Sequence, residues 1–206
     1  VAKAAGAVNT VWFEAGRLCG DNTDGTGFVA HLDQTHPEWD ANRPNIVILG
    51  AGGAARGLLV PLIDRNPASI TLTNRSAERA EILVADIRKA RPKAEIHIVP
   101  WENRGLALAK ADLLINSTSL GMNGQPPLDI DLMPLPASAI VADIVYVPLE
   151  TPLLVAARAR GLKTLDGLGM LLHQAVPGFE RWFGVKPRVT DALRQHILAD
   201  LAPKAP

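Results

Sequence analysis

Gly50-Ala51-Gly52-Gly53-Ala54-Ala55 stands directly after the apolar run Ile46 to Leu49. That spacing suits phosphate chemistry. Gly50 permits a tight turn, and Gly52 lets the backbone approach a pyrophosphate. Ala55 is small enough for the place where helix and strand pack closely. A helix starting here points free N–H groups and its positive dipole end at an anion. Asn74-Arg75-Ser76 ends the next apolar run, with Arg79 one helical turn later. A carboxylate at that place would accept from a ribose 2′-hydroxyl. Guanidinium groups and a hydroxyl suit a 2′-phosphate instead. Strand, turn, helix, strand and arginine in register predict an NADP(H) site at Gly50, Ala51, Gly52, Gly53, Ala54, Asn74, Arg75, Ser76 and Arg79. A solvated helix face is an equally good account of Arg79 taken alone.

Other polar clusters flank apolar runs. Asn9-Thr10 and Asn22-Thr23-Asp24-Gly25 bracket a predicted hairpin, so their side chains can converge. Asp24 stands at a helix start, where an N-cap is the simple account. The functional alternative is a carboxylate that binds a polyol hydroxyl or pairs with a general acid. Asn116-Ser117-Thr118-Ser119-Leu120-Gly121-Met122 follows an apolar strand and belongs on the carboxyl edge of the sheet, where ligands bind. Thr118 is its candidate cofactor contact, and a plain polar loop is the alternative. Asp143-Ile144-Val145-Tyr146 ends the next strand at the same edge. Gly167-Leu168-Gly169-Met170 opens a helix where a nicotinamide would lie, and Gln174 follows one turn on, beside His173. The histidines are scattered without metal-ligand spacing.

The elements that would hold these residues follow from periodicity. Ala7 to Phe13 and Arg17 to Gly20 read as a hairpin, Phe28 to Leu32 as helical, and Thr35 to Pro44 as a linker. Strands are expected at Ile46–Leu49, Ser69–Thr73, Glu95–Val99, Asp112–Ile115, Ala139–Asp143 and Leu162–Leu165. Helices are expected at Gly53–Asp64, Ala77–Ala90, Pro152–Arg160, Gly167–Phe183 and Val189–Leu201. Such alternation predicts an α/β Rossmann domain with a parallel sheet, joined to the remaining part of an α/β substrate-binding domain. The expected division is a substrate-domain remnant at 1–22, an NADP-binding domain at 23–165, and helices returning to the substrate domain at 166–206.

Bulk properties narrow the partners. Lys plus Arg number 21 and Asp plus Glu 21, so no net charge draws the chain to nucleic acid or an anionic membrane. Cys19 is the only cysteine, which excludes a disulfide framework and points to a reducing, cytoplasmic setting. The expected partners are a small-molecule substrate and, as an open alternative, a second copy of the chain in a homodimer. Val1 to Gly6 reads as the tail of a helix, so the chain is expected to be truncated at its front end.

The motifs together resemble shikimate dehydrogenase: Gly6-Ala7-Val8-Asn9-Thr10, Asn22 to Gly25, Gly50 to Ala55, Asn74 to Ser76, Asn116 to Gly121, Asp143 to Tyr146, and Asp166 to Gln174. The resemblance spans nearly the whole chain. It implies NADP-dependent, reversible reduction of 3-dehydroshikimate to shikimate in aromatic amino-acid biosynthesis. It implies further that Asn9, Asp24, Gln174 and Tyr146 form the substrate site, with Asp24 as one half of the catalytic pair. Gly167 and Met170 would lie beside the nicotinamide, and Arg75 and Arg79 would clamp the 2′-phosphate. The family's lysine, in an Asn-Val-Thr-x-Pro-x-x-Lys-like segment, falls further upstream of Asn9 than this chain extends. Its Ser-x-Ser substrate motif does too, and Lys3 is too close to Asn9 to match. The chain is therefore expected to bind NADPH and to turn over substrate very slowly or not at all. A quinate/shikimate dehydrogenase and a catalytically silent dinucleotide-binding module stay open as alternatives.

Overall fold

The computed structural model describes residues 1–201; residues 202–206, the end of the expected C-terminal segment 166–206, lie outside the described residues. A short helix, α1 (Ala2–Ala5), ends at Gly6 in the left-handed conformation. The hairpin follows, β1 (Thr10–Glu14) paired antiparallel with β2 (Arg17–Asp21). Its two-residue turn, Ala15-Gly16, has positive φ at both positions, which matches the twist of the strands it joins. The strand starts later than Ala7 because Asn9 turns its side chain to the loop before the next helix.

That helix is α2 (Asp24–Thr35), which packs against both α3 (Gly53–Ile63) and α6 (Gly167–Phe183). Two of its residues meet these neighbours at backbone distance. A Cβ on Gly25 would stand 2.2 Å from the Gly57 carbonyl oxygen, and one on Gly27 would stand 2.5 Å from the Gln174 nitrogen. Only glycine permits these approaches.

The main sheet is parallel and six-stranded, with its strands in the spatial order Ile96–Pro100, Ser69–Asn74, Asn45–Leu49, Leu113–Asn116, Ile140–Asp143, Lys163–Leu165. Its strands are β3 (Asn45–Leu49), β4 (Ser69–Asn74), β5 (Ile96–Pro100), β6 (Leu113–Asn116), β7 (Ile140–Asp143) and β8 (Lys163–Leu165). β3, β6 and β7 each carry a continuous apolar stretch because both faces are covered, whereas β4 interleaves Ile70 and Leu72 with Thr71 and Thr73. Ile46 and Ile48 join a core with Phe28, Leu58, Leu62, Leu72 and Leu83. Val47 and Leu49 point the other way, to Leu114, Val141, Leu153 and Leu154. The chain order reverses between β3 and β6, and that switch point opens a crevice at the carboxyl ends of both strands.

Three helix starts are capped by side chains. Ser76 caps α4 (Ala77–Ala90), Thr151 caps α5 (Pro152–Ala159) with Pro152 just inside, and Asp166 caps α6 through the Leu168 and Gly169 N–H groups. α7 (Asp191–Leu201) is fastened by Arg194, which donates to both oxygens of Asp166. The far end of α6 holds the hairpin: Trp182 donates its indole N–H to the Val11 carbonyl, and the Arg181 guanidinium stacks over Trp12. One element had no signature in the sequence, a 3-10 helix at Trp101–Lys110 of which only Leu108 is buried.

Candidate functional site

The glycine turn lies at the β3–β6 crevice. Gly50 has φ of 106°, a conformation that side chains disfavour, and its N–H donates to the Thr73 carbonyl at 2.8 Å. A Cβ there would stand 2.9 Å from the Ser117 hydroxyl and 3.0 Å from the Thr118 methyl, so the turn rests on the loop after β6. Gly52 and Gly53 face open space. Gly52 caps α3 without any side-chain acceptor, and no acidic residue lies in the first turn. The first N–H groups of α3 therefore point outward beside a cradle that a Cβ would begin to fill, which is how a helix receives a pyrophosphate.

Asn74 joins the two halves of this site. Its Oδ1 accepts from the Ala51 N–H at 3.1 Å and its Nδ2 donates to the Ser76 carbonyl at 2.9 Å. Ala51 and Ala54 are half-buried in the turn and the first coil of α3. Beyond Asn74, the Arg75 and Arg79 side chains are exposed, and neither guanidinium has an acceptor among the described residues. Ser76 spends its hydroxyl oxygen on the Arg79 N–H. Two free guanidinium groups just past the end of β4, with no carboxylate at the strand end itself, fit a 2′-phosphate and would leave a bare ribose hydroxyl without an acceptor.

A second polar group forms where the hairpin meets α2. Asn9 Nδ2 donates to Asp24 Oδ1 at 2.7 Å, while Asn9 Oδ1 accepts from the N–H and the hydroxyl of Thr23. Since the Thr23 N–H can only donate and a carboxylate accepts, this orientation of the amide is the one that satisfies both ends. Asp24 is not an N-cap. Thr23 holds that position, and the Asp24 side chain is turned to Asn9 instead. Gln174 lies on α6 where its backbone meets Gly27, one turn along α2 from Asp24, and Gly178 of the same helix packs on Thr10. Asn9, Asp24 and Gln174 thus approach a common corner.

Tyr146 is exposed on the loop after β7, at the carboxyl edge, and makes no hydrogen bond among the described residues. Gly167 packs under that loop, where a Cβ would stand 2.2 Å from the Ile144 carbonyl oxygen; Met170 is buried one turn further on.

Asn116, Asp143 and Thr151, all buried, form one polar cluster from places far apart in the sequence. Asp143 accepts from Asn116 Nδ2 at 3.0 Å, from the Val145 N–H at 3.1 Å, and from the Thr151 hydroxyl at 2.7 Å. Burial pushes its carboxyl up to about 6, against the pull of these donors. His31 belongs to no sequence motif. It is buried against Gly169 and stacked on His173, and burial pushes it down to about 4, with the nearby His173 and Arg194 charges adding to that and Asp166 opposing it. Among the described residues no His, Cys, Asp and Glu side chains group as a metal site requires, and no helix is long and apolar enough to cross a membrane.

Comparison with known proteins agrees with this geometry. The family model described as shikimate / quinate 5-dehydrogenase matches residues 32–122, and that of the shikimate 5′-dehydrogenase C-terminal domain matches residues 167–198. The chain is 54% identical to the shikimate dehydrogenase (NADP(+)) of Azorhizobium caulinodans, over 99% of this chain and 71% of that relative. Its structure is similar to quinate dehydrogenase from Corynebacterium glutamicum in complex with NAD, with a TM-score of 0.87 and 34% identity, covering 96% of this chain and 70% of the other. It is also similar to shikimate 5-dehydrogenase from Thermus thermophilus in complex with NADP(H) and shikimate, with a TM-score of 0.76 and 33% identity, covering 91% and 66%.

Proposed function

Because the chain belongs to the shikimate dehydrogenase family, we propose that it serves the NADPH-dependent, reversible reduction of 3-dehydroshikimate to shikimate, a step of aromatic amino-acid biosynthesis. The observation that carries the cofactor half is the pairing of an acid-free, uncapped α3 N-terminus with the unpaired guanidinium groups of Arg75 and Arg79. The turn at Gly50 to Ala54 cradles the pyrophosphate, and Asn74 keeps that turn in register with the arginines. Gly167, Met170 and Thr118 lie toward the nicotinamide end. The bound cofactor supplies a hydride.

The substrate half is assigned to Asn9, Asp24, Gln174 and Tyr146. Asn9 occupies Asp24 Oδ1, which leaves Oδ2 to accept from a polyol hydroxyl. Reduction of a ketone leaves negative charge on oxygen, so the carboxylate serves by orienting the hydroxyl and its proton donor. On this reading residues 1–22 and α6–α7 belong to the substrate side, and residues 23–165 carry the cofactor.

The test is a fluorescence titration of the chain with NADPH and NADH. NADPH is expected to bind far more tightly, and Arg75→Ala is expected to weaken NADPH by about 10- to 100-fold, the range for hydrogen bonds to a charged group, while NADH barely changes. Equal affinities for the two cofactors in the unaltered chain would refute the assignment.

A further inference from the structure

The loop after β6 carries a hydrogen-bond relay whose direction can be worked out completely. Asn116 is fully buried, and its Nδ2 donates to Asp143 Oδ1 and to the Leu120 carbonyl, both acceptors. Asp143 Oδ1 also takes the Val145 N–H, which leaves it no other role. The amide orientation of Asn116 is thereby fixed, and its Oδ1 faces Thr118. There it accepts twice, from the Thr118 N–H at 3.1 Å and from the Thr118 hydroxyl at 2.7 Å. The Thr118 oxygen in turn accepts from the Leu120 N–H at 3.1 Å.

Every proton in this relay is committed. Asn116 can only accept at Oδ1, so the single proton of the Thr118 hydroxyl must go to it. Leu120 N–H can only donate, so it takes one of the two lone pairs. A single lone pair is left. Thr118 itself is half-buried at the rim of the crevice, with its methyl group against Gly50. A ligand in the crevice therefore meets a hydroxyl that cannot donate.

We propose that Asn116 is a positioning residue which, held by Asp143, makes Thr118 an obligate acceptor, so that Thr118 takes a hydrogen bond from a donor on the nicotinamide half of the cofactor and none from a phosphate oxygen. A phosphate oxygen at pH 7 offers no proton and would meet a lone pair with a lone pair. Donors of the right kind are the nicotinamide ribose hydroxyls and the carboxamide N–H. This rests on the placement of NADP(H) at the β3–β6 crevice proposed above.

Binding assays on the whole chain separate the two ideas. The probes are NADPH, 2′,5′-ADP (which carries only the adenosine end), an acetylpyridine analogue of NADPH lacking the carboxamide N–H, and analogues lacking a nicotinamide ribose hydroxyl. Thr118→Val keeps the side-chain shape and removes the acceptor. It is expected to weaken NADPH by about 3- to 10-fold, the range of one neutral hydrogen bond, and to leave 2′,5′-ADP unchanged, which also reports that the variant is folded. Thr118→Ser is expected to restore NADPH affinity. The analogue that lacks the donor is expected to bind the unaltered chain more weakly by the same factor and to lose nothing more in Thr118→Val. Whether that is the acetylpyridine or a deoxyribose analogue identifies the donor.

Asn116→Ala, which frees the Thr118 proton so that the hydroxyl can donate as well as accept, is expected to narrow the same discrimination between NADPH and that analogue, which general loosening of the loop would not single out. The proposal is overturned if Thr118→Val binds NADPH unchanged, if it weakens NADPH and 2′,5′-ADP together, or if every analogue loses as much in the variant as in the unaltered chain. Failure of the unaltered chain to bind 2′,5′-ADP would instead remove the cofactor placement, and this proposal with it.

Discussion

Asp143 makes a sharp prediction about stability and pH. Its carboxyl sits buried at the end of β7, ringed by three donors, yet burial outweighs them and lifts it from 3.8 to about 6. The folded chain therefore binds a proton between pH 4 and 6 that the unfolded chain has already released. Stability from this group is full below pH 4, falls as pH rises through about 6, and is flat above that. At about 1.36 kcal/mol per tenfold in the proton equilibrium, the displacement from 3.8 to about 6 is worth on the order of 3 kcal/mol.

Asp143→Asn isolates that contribution. The amide oxygen still accepts from Asn116 and Val145, and its N–H₂ donates to Thr151 as a protonated acid would. The variant thus resembles the acid form at every pH. Urea denaturation of both proteins across pH 4 to 8 gives the difference in unfolding free energy. The unaltered chain is expected to lose roughly 3 kcal/mol relative to Asp143→Asn as pH rises from 4 to 7, most of it before pH 6. Parallel stability curves would refute the reasoning, since they would mean that the three donors cancel the cost of burial.

Gly57→Ala would place a methyl group 2.9 Å from Asn22 Oδ1 and 3.1 Å from the Asp24 Cβ, so thermal unfolding should show a loss of about 1–3 kcal/mol, with shikimate affinity falling more than NADPH affinity. An unchanged midpoint and affinity would contradict that close approach. The folded His31 ring is expected to stay neutral until near pH 4, and a ring-proton titration by NMR with a midpoint at 6 or above would show it is not desolvated. Arg194→Ala removes the donor pair to Asp166. It should cost about 1 kcal/mol or less for a partly exposed ion pair and speed hydrogen exchange in α7 while α6 keeps its Asp166 cap; unchanged exchange in α7 would show that other contacts hold it.

The fold was legible wherever one element buries a regular face. β3 reads as a strand because Ile46 to Leu49 alternate between two cores and are apolar throughout. Helix α4 reads from Ala80, Leu83, Val84 and Ile87, which recur at helical spacing behind a Ser76 cap. The 3-10 helix at Trp101–Lys110 buries only Leu108 and so leaves no period to find. The glycine turn and the arginines were equally accessible as a pattern, since one βαβ unit holds Gly50, Asn74, Arg75 and Arg79 within a short span, although the turn also rests on Ser117 and Thr118. Asp24 shows the limit of local reading. Its position at a helix start suggested a cap, whereas the fold gives that place to Thr23 and brings Asn9 across from the hairpin.

What stayed hidden was built from places far apart in the chain. Asn116, Asp143 and Thr151 end β6, end β7 and cap α5, and nothing in their spacing shows that the Asp143 carboxylate accepts from the other two. His31 reads as a lone histidine on α2 and meets His173 and Gly169 only when α6 packs on it. Both hidden groups are titratable, and burial acts on them in opposite directions: Asp143 gains a proton on folding between pH 4 and 6, while His31 gives one up between about 4 and 6.5. Their slopes of stability with pH are opposite in sign and overlap in range. The two contributions should therefore offset one another, with the tilt of each exposed only when the other is replaced. Neither net charge nor composition marks such a pair, because both depend on burial that only the packed structure creates.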